Sequence, residues 1–214
     1  MPCCSHCQGA DQLFDVGVAR SDLNSYRRKG PSRQTKLLLS ALREAGVEGA
    51  TLIDIGGGVG AIQHELLADG VRSAVHVDAS TAYLGASQEE AEKRGHRQRV
   101  TYLHGNFVDL APEIQPADVV TLDRVVCCYP DMPGLVGASA ARAQHLYGLV
   151  YPRDAGWMKL GNQILNLYLW VRRNPFRTFV HSAAKVDAAI RAQGLTPRYH
   201  RNAGLWQVVV YGRD

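Results

Sequence analysis

The chain has 214 residues, of which 46% are hydrophobic and 21% charged, with a formal net charge of +4. These values are those of an ordinary globular domain that is long enough to bury one full hydrophobic core. No apolar run approaches the ~20 residues that a membrane-spanning helix needs. Residues 1–7 lack the apolar core of a signal peptide. We therefore predict a single-domain, cytoplasmic protein without a membrane span.

The basic residues do not form one continuous stripe along the sequence. They cluster in three distant segments, at residues 27–29, 172–173 and 198–201. A nucleic-acid interface needs joined positive charge with stacking aromatic residues. The charge pattern therefore argues against a nucleic-acid partner and remains compatible with a small acidic substrate.

Hydrophobic runs and breakers predict alternating helices and strands along the chain. Two helices come first, at about 23–29 and 32–46. The predicted strands are at about 50–55, 73–77, 100–103, 117–122 and 148–151, followed by a hairpin of 196–201 and 205–211. The helices that separate them are predicted at about 59–70, 80–94, 134–147, 156–173 and 182–193.

The first five predicted strands are almost wholly apolar, which is typical of a parallel sheet covered on both faces. The terminal hairpin adds an antiparallel strand, because a tight turn at residues 202–204 joins its two arms. The predicted fold class is therefore α/β, with a seven-stranded mostly parallel sheet, helices on both faces and a C-terminal antiparallel hairpin strand.

The segment from Thr51 to Gly60 reads as an apolar strand, a turn of small residues and a helix start. A glycine turn lets the backbone approach a bulky ligand, and the unpaired N–H groups of the next helix face that ligand. One acidic residue, Asp54, lies inside the end of this strand, and another, Asp78, closes the next strand. This pattern predicts a site for the adenosine end of a cofactor.

The run Asp54-Ile55-Gly56-Gly57-Gly58-Val59-Gly60 resembles the D/E-x-G-x-G-x-G signature of class I S-adenosylmethionine-dependent methyltransferases. The resemblance covers about residues 50–150 by motif and residues 150–211 by architecture. It implies that residues 1–46 form a helical lid segment and that residues 47–214 form one compact cofactor-binding domain. More loosely, the short chain is similar to small-molecule methyltransferases of quinone or tetrapyrrole biosynthesis.

The same glycines also allow a nicotinamide-dinucleotide site. Gly56, Gly58 and Ala61 satisfy G-x-G-x-x-A, and an acid about 20 residues further on fits the ribose. However, Asp54 would place negative charge beside a pyrophosphate, whereas S-adenosylmethionine carries a positive sulfonium and ammonium. The predicted cofactor is therefore S-adenosylmethionine, and a NAD(P)-dependent reductase is the less favoured alternative.

The resemblance also implies roles for single residues. Asp54 would serve the ammonium end of the cofactor, and Asp78 would accept both ribose hydroxyls. Asn106 stands where the family commonly has an acid that accepts from the adenine amino group. The full set of predicted cofactor-binding residues is Asp54, Gly56, Gly57, Gly58, Gly60, Asp78, Ala79, Asn106, Phe107, Asp123 and Arg124.

The loop over residues 123–130 follows the fourth strand, where this fold places residues near the sulfonium and the acceptor. Asp123 and Tyr129 are the predicted catalytic residues. Histidines can act as bases near neutral pH, but no one of them is favoured over the others. The histidines considered are His6, His104, His145 and His181.

The five cysteines lie in two groups, Cys3, Cys4 and Cys7 near the N-terminus and Cys127 and Cys128 in the predicted active-site loop. An odd number of cysteines argues against a disulfide framework. Buried thiols that pack as small hydrophobic groups are the favoured interpretation. The alternative is a metal- or metalloid-binding protein, or a thiol methyltransferase, with Cys4, Cys7 and Cys128 as ligands.

The predicted function is transfer of a methyl group from S-adenosylmethionine to a small-molecule acceptor, through an oxygen, nitrogen or sulfur nucleophile, by in-line displacement. An N-P-P-Y motif, which marks methylation of nucleic-acid bases and glutamine, is absent from the sequence. The sequence leaves the acceptor and the oligomeric state open.

Overall fold

A computed structural model of the chain describes residues 5–213. Its seven strands form one sheet in the order β3-β2-β1-β4-β5-β7-β6. The strands are β1 (Thr51–Ile55), β2 (Ser73–Asp78), β3 (Val100–His104), β4 (Ala117–Asp123), β5 (Ala143–Pro152), β6 (Thr196–Ala203) and β7 (Trp206–Gly212). The α-helices are α1 (Ser5–Leu13), α2 (Val16–Lys29), α3 (Arg33–Ala45), α4 (Ala61–Ala68), α5 (Thr81–Lys93), α6 (Phe107–Leu110), α7 (Met132–Ala140), α8 (Gly156–Val171) and α9 (Ala183–Arg191).

Strands β1 to β5 pair in parallel, and β7 runs antiparallel to both β5 and β6. The predicted fold class is therefore confirmed, including the antiparallel strand of the C-terminal hairpin.

Successive residues of each central strand point to opposite faces of the sheet, and both faces are covered. In β1, Ile53 packs into the core beneath α7 and α9, whereas Leu52 packs into the core beneath α3 and α4. Burial on both faces explains why these strands read as continuous apolar runs.

The predicted helix over residues 134–147 is too long. Helix α7 ends at Ala140, and β5 already begins at Ala143. The physical reason is pairing: Tyr147 lies opposite Val120 of β4, and its hydroxyl lies 2.6 Å from Ser139 Oγ at the end of α7. Tertiary pairing and burial of Tyr147 thus outweigh the local helical pattern.

The N-terminal region is more helical than predicted. The predicted helix over 23–29 is only the second half of α2, which Asp15 caps by accepting from the Val18 N–H. Helix α2 is held against α5 by Arg27, whose guanidinium pairs with Glu89 and Glu90 at 2.8 and 2.7 Å. Among the described residues, no helix has the length and apolar character required to cross a membrane.

Candidate cofactor and acceptor site

A pocket of about 480 Å³ lies at the carboxyl ends of β1, β2 and β4, and residues of α1 and α2 close it from the outside. This is the edge where open α/β sheets bind their ligands. The predicted site residues that line the pocket are Asp54, Gly56, Gly57, Gly58, Asp78, Ala79, Asn106, Phe107, Asp123, Arg124 and Tyr129.

The glycine turn needs its glycines for two different reasons. A Cβ on Gly56 would lie 2.5 Å from Val125 Cγ2, and one on Gly57 would lie 2.6 Å from Asp54 Oδ2. A Cβ on Gly58 would instead meet its nearest neighbour, the Tyr83 ring, at 3.9 Å. Gly58 therefore faces the open pocket, while the other two make room for the protein itself.

Gly60 does not belong to the pocket lining. It has a φ of 78°, and a Cβ there would collide with Ser87 Oγ on α5. Close packing at the start of α4 accounts for this glycine.

Asp54 lies at the pocket floor and is 1% exposed. Its Oδ1 accepts a hydrogen bond from the Thr121 hydroxyl at 2.7 Å, whereas its Oδ2 has no partner among the residues that the structure describes. Burial raises the pKa of Asp54 to about 7, and the nearby carboxylates of Asp123 and Asp78 act in the same direction. A cationic ligand group would supply the missing partner and favour the carboxylate form.

Asp78 ends β2 and holds the glycine turn through its carboxylate. Its Oδ2 accepts from the Gly58 N–H at 2.9 Å and its Oδ1 from the Ser80 N–H at 2.8 Å. The N-cap of α5 is Ser80, whose side chain accepts from the Tyr83 N–H. Burial raises the pKa of Asp78 to about 6. Because each carboxylate oxygen has two lone pairs, both can still accept a ligand hydroxyl.

Asn106 follows β3 and caps α6. Its Oδ1 accepts from the Tyr129 hydroxyl at 3.0 Å and from the Val108 N–H at 3.3 Å, and its Nδ2 donates to Asp109 at 3.0 Å. The structure thus brings Asn106 and Tyr129 together in the pocket wall. Phe107 lies beside them and is also part of the main core.

Asp123, at the end of β4, is fixed from two sides. Its Oδ2 accepts from the Thr35 hydroxyl at 2.6 Å, and its Oδ1 accepts from Arg124 Nε at 3.1 Å. Arg124 has a φ of 64°, a left-handed conformation that is uncommon outside glycine. This loop therefore holds a carboxylate and a guanidinium in fixed positions at the pocket.

Several residues of this site were not predicted from the sequence. Thr35 is buried on the face of α3 that carries Leu38 and Leu42, so a polar residue on an apolar helix face was the available signal. Tyr83, which lines the pocket, donates to Asp22 of α2 at 2.6 Å. No local pattern marks that pair, because its two members are far apart in the sequence.

One cysteine from each of the two predicted groups lies at the pocket. Cys7 and Cys128 both line the pocket, and the sulfur atoms of Cys127 and Cys128 are 3.6 Å apart. Over residues 5–213, the structure shows no group of three side chains able to hold a metal ion. Cys3 and Cys4 lie outside the described residues.

Of the predicted histidines, the three whose side chains the structure describes lie outside the pocket. His104 bonds to the Ala79 carbonyl at 3.1 Å, His145 lies 3.4 Å from Asp118, and His181 Nε2 lies 3.0 Å from the Tyr129 carbonyl. None of these three lines the described pocket. The side chain of His6 is outside the described part of the chain.

Comparisons with known proteins agree with this geometry. Residues 53–144 match the family model of the methyltransferase domain. A search of curated proteins finds no match. Among solved structures, the fold is similar to magnesium protoporphyrin IX methyltransferase from Synechocystis with bound SAH, at a TM-score of 0.71 and 14% identity, covering 96% of this chain and 98% of that one.

Two other similar structures come from different bacteria. An O-methyltransferase family protein from Burkholderia thailandensis has a TM-score of 0.70 at 18% identity, covering 94% of this chain and 61% of that one. Geranyl diphosphate C-methyltransferase from Streptomyces coelicolor has a TM-score of 0.67 at 14% identity, covering 85% and 77%. At these identities the likeness shows the fold.

The sheet order, the glycine turn with its two acids and the family match define the class of protein. Residues 53–144 carry a methyltransferase domain, and its site and fold indicate S-adenosylmethionine as the methyl donor. The predicted cofactor and enzyme class are therefore confirmed.

Proposed function

We propose that this enzyme transfers the methyl group of S-adenosylmethionine to a small-molecule acceptor through an oxygen, nitrogen or sulfur atom. The observation that carries the proposal is the composition of one pocket, whose floor holds the glycine turn and whose outer wall is largely apolar and aromatic. The apolar and aromatic residues of this wall include Ala10, Phe14, Cys128, Tyr129 and Phe176, and α2 adds the polar residues Asp22, Ser25 and Lys29. Such a wall suits a small, partly apolar acceptor better than a polynucleotide.

The pocket residues divide between donor and acceptor. We assign Asp54 to the ammonium of the cofactor and Asp78 to its ribose hydroxyls, with the Gly58 backbone beside them. The cofactor supplies an electrophilic methyl group, so the protein mainly positions the reactants and excludes water. Asp123 and Tyr129 are the proposed catalytic residues. The hydrogen bond that the Tyr129 hydroxyl donates to Asn106 holds this ring in the pocket wall, where it can position the acceptor.

The structural neighbours support a small acceptor. Two of them are named for methylation of a porphyrin and of geranyl diphosphate. We therefore place the protein among small-molecule enzymes, propose no nucleic-acid partner and keep the cytoplasm as the proposed location.

A transfer assay with methyl-labelled S-adenosylmethionine tests this function. Purified enzyme is incubated with separate sets of small carboxylic acids, phenols, amines and thiols, and labelled product and S-adenosylhomocysteine are quantified. We expect one set to yield both products in equal amounts. Label transferred only to protein or nucleic acid would contradict the proposal.

One specific observation favours a second function, in which a metalloid or a thiol is the acceptor: Cys7 and Cys128 line the same pocket. Two thiols beside a methyl donor suit a soft metalloid or thiol acceptor. The double variant Cys7→Ser/Cys128→Ser separates the two functions. Under our proposal, turnover of the acceptor stays within about twofold. Loss of turnover with unchanged affinity for S-adenosylhomocysteine, together with metalloid bound to the wild type, would favour the alternative.

The affinity for S-adenosylhomocysteine is expected to depend on pH because of Asp54. Its pKa is about 7 in the free enzyme, so the carboxyl group is mostly neutral at pH 6 and mostly ionised at pH 8. The ligand ammonium favours the ionised form, so binding releases a proton and tightens as pH rises. We expect about tenfold weaker binding at pH 6 than at pH 8.

Calorimetric titration in two buffers of different ionisation enthalpy measures both this affinity and the proton release. In the Asp54→Asn variant, the change centred near pH 7 is expected to disappear. A smaller rise near pH 6 from Asp78 would remain. An affinity that does not change with pH in the wild type would remove Asp54 from the cofactor site.

A further inference from the structure

Helix α8 carries a broad apolar face that points away from the protein. Trp157, Leu160, Ile164, Tyr168 and Val171 recur every three or four residues and are each between 57% and 65% exposed. This spacing places them on one side of the helix. In the described part of the chain, no other element packs over these side chains.

The opposite side of α8 is the polar one, and it faces the protein. Asn162 and Asn166 each donate to the Thr178 carbonyl at 2.8 Å, and Thr178 returns hydrogen bonds to both side chains. Leu169 is the buried apolar residue of this side. A surface helix of a soluble protein normally has the reverse arrangement, so the outward apolar face indicates a binding surface.

The segment that contains α8 carries formal charges of one sign only, although Asp154 lies just before it. Residues 155–186 contain no aspartate or glutamate. Lys159 lies on the helix and pairs with Asp154 at 2.7 Å, while Arg172 and Arg173 follow its last turn. The basic residues of this segment are Lys159, Arg172, Arg173, Arg177 and Lys185.

We propose that α8 docks on the surface of an anionic phospholipid membrane, lying in the plane of the interface. Trp157 at the start of this face and Tyr168 near its end are residues that favour the boundary between headgroups and acyl chains. The flanking cations complement the negative lipid headgroups. At 16 residues, or roughly 24 Å, the helix lies on the membrane and does not cross it.

Charge also favours lipid over a second copy of the chain. A two-fold interface would bring this segment against its own equivalent, with basic residues and no acid on either side. An anionic bilayer offers both the apolar interior and the opposite charge.

The inner side of α8 reaches the methyl-transfer pocket. Leu169 packs in one small core with Ala10 and Phe176, and both of these line the pocket. Docking of α8 would therefore bring this wall of the pocket close to the bilayer. The docking surface itself does not depend on which acceptor the enzyme uses.

Vesicle co-sedimentation of the full chain tests the proposal. The vesicles consist of phosphatidylcholine alone or of phosphatidylcholine with phosphatidylglycerol. We expect at least tenfold stronger association with the anionic vesicles, a blue shift of tryptophan fluorescence on binding, and weakening by added salt.

The variant Leu160→Gln/Ile164→Gln removes apolar surface without touching the pocket. We expect it to lose at least tenfold in vesicle affinity and to bind S-adenosylhomocysteine as the wild type does. Leu205→Gln is the matched control, because Leu205 is 50% exposed but lies in the β6–β7 turn. It should leave vesicle binding unchanged.

Three results would overturn the proposal. The first is that folded wild-type protein does not co-sediment with anionic vesicles. The second is equal vesicle binding by the Leu160→Gln/Ile164→Gln variant. The third is a wild-type dimer in light scattering that the Leu160→Gln/Ile164→Gln variant does not form and that vesicles do not dissociate. This result would assign the face to a second copy of the chain. Retained binding of S-adenosylhomocysteine separates each of these from a failure of the cofactor site.

Discussion

Replacing Gly58 with valine is expected to abolish binding of S-adenosylhomocysteine, with a loss of more than a hundredfold in affinity. The position faces the pocket, and the nearest atom to an added Cβ is on the Tyr83 ring, 3.9 Å away. A branched side chain would therefore occupy space that the ligand needs, and it would not collide with the protein core. Calorimetric titration measures the affinity, and circular dichroism shows whether the fold survives.

Backbone strain needs its own control, because Gly58 has a φ of 57°. A valine in this left-handed conformation costs on the order of 1–2 kcal/mol wherever it is placed. Gly95 has a φ of 72°, an added Cβ there meets nothing within 4 Å, and it lies outside the pocket lining. Gly95→Val should therefore lose similar stability and bind the ligand normally. Normal binding by Gly58→Val would mean that the cofactor lies elsewhere.

The variant Asp78→Ala is expected to weaken binding of S-adenosylhomocysteine by roughly 1.5–3 kcal/mol, the range for hydrogen bonds to a charged group. This corresponds to a loss of about 10- to 150-fold in affinity. In this variant the two ribose hydroxyls of the ligand would lose the carboxylate that accepts their hydrogen bonds. The Gly58 N–H would lose the same acceptor, which fixes the turn next to the ligand. The same calorimetric titration measures this loss.

Loss of a backbone contact alone has to be separated from loss of the ribose contact. Asp131 is a suitable control, because it accepts from the Gly134 N–H at 3.1 Å, caps α7 and does not line the pocket. Asp131→Ala should lower stability and leave the affinity unchanged. If Asp78→Ala binds as tightly as the wild type, the ribose assignment is wrong.

Much of the sheet was predictable, because strands that are buried on both faces consist of consecutive apolar residues. The start of β5 was not, since residues 143–147 pair with β4 through contacts that no local pattern encodes. Helix α1 and the first half of α2 were also missed. Their docking depends on partners such as Asp22 with Tyr83, which are distant in sequence.

The site shows the same division. A strand, a glycine turn and two acids are local, so the sequence could place Asp54, Gly58 and Asp78 at one edge of the sheet. It could not show that Asp54 keeps one oxygen without a partner among the described residues, or that Thr35 fixes Asp123. The orientation of α8 was equally hidden, because the sequence shows an amphipathic helix without showing which side the protein covers.

Calorimetric titration of the wild-type protein with S-adenosylhomocysteine, and separately with NAD and NADP, tests the central claim most directly. We expect micromolar binding of one equivalent of S-adenosylhomocysteine and no heat from either dinucleotide. Binding of NAD or NADP in competition with S-adenosylhomocysteine would contradict it, as would the absence of binding by any of the three.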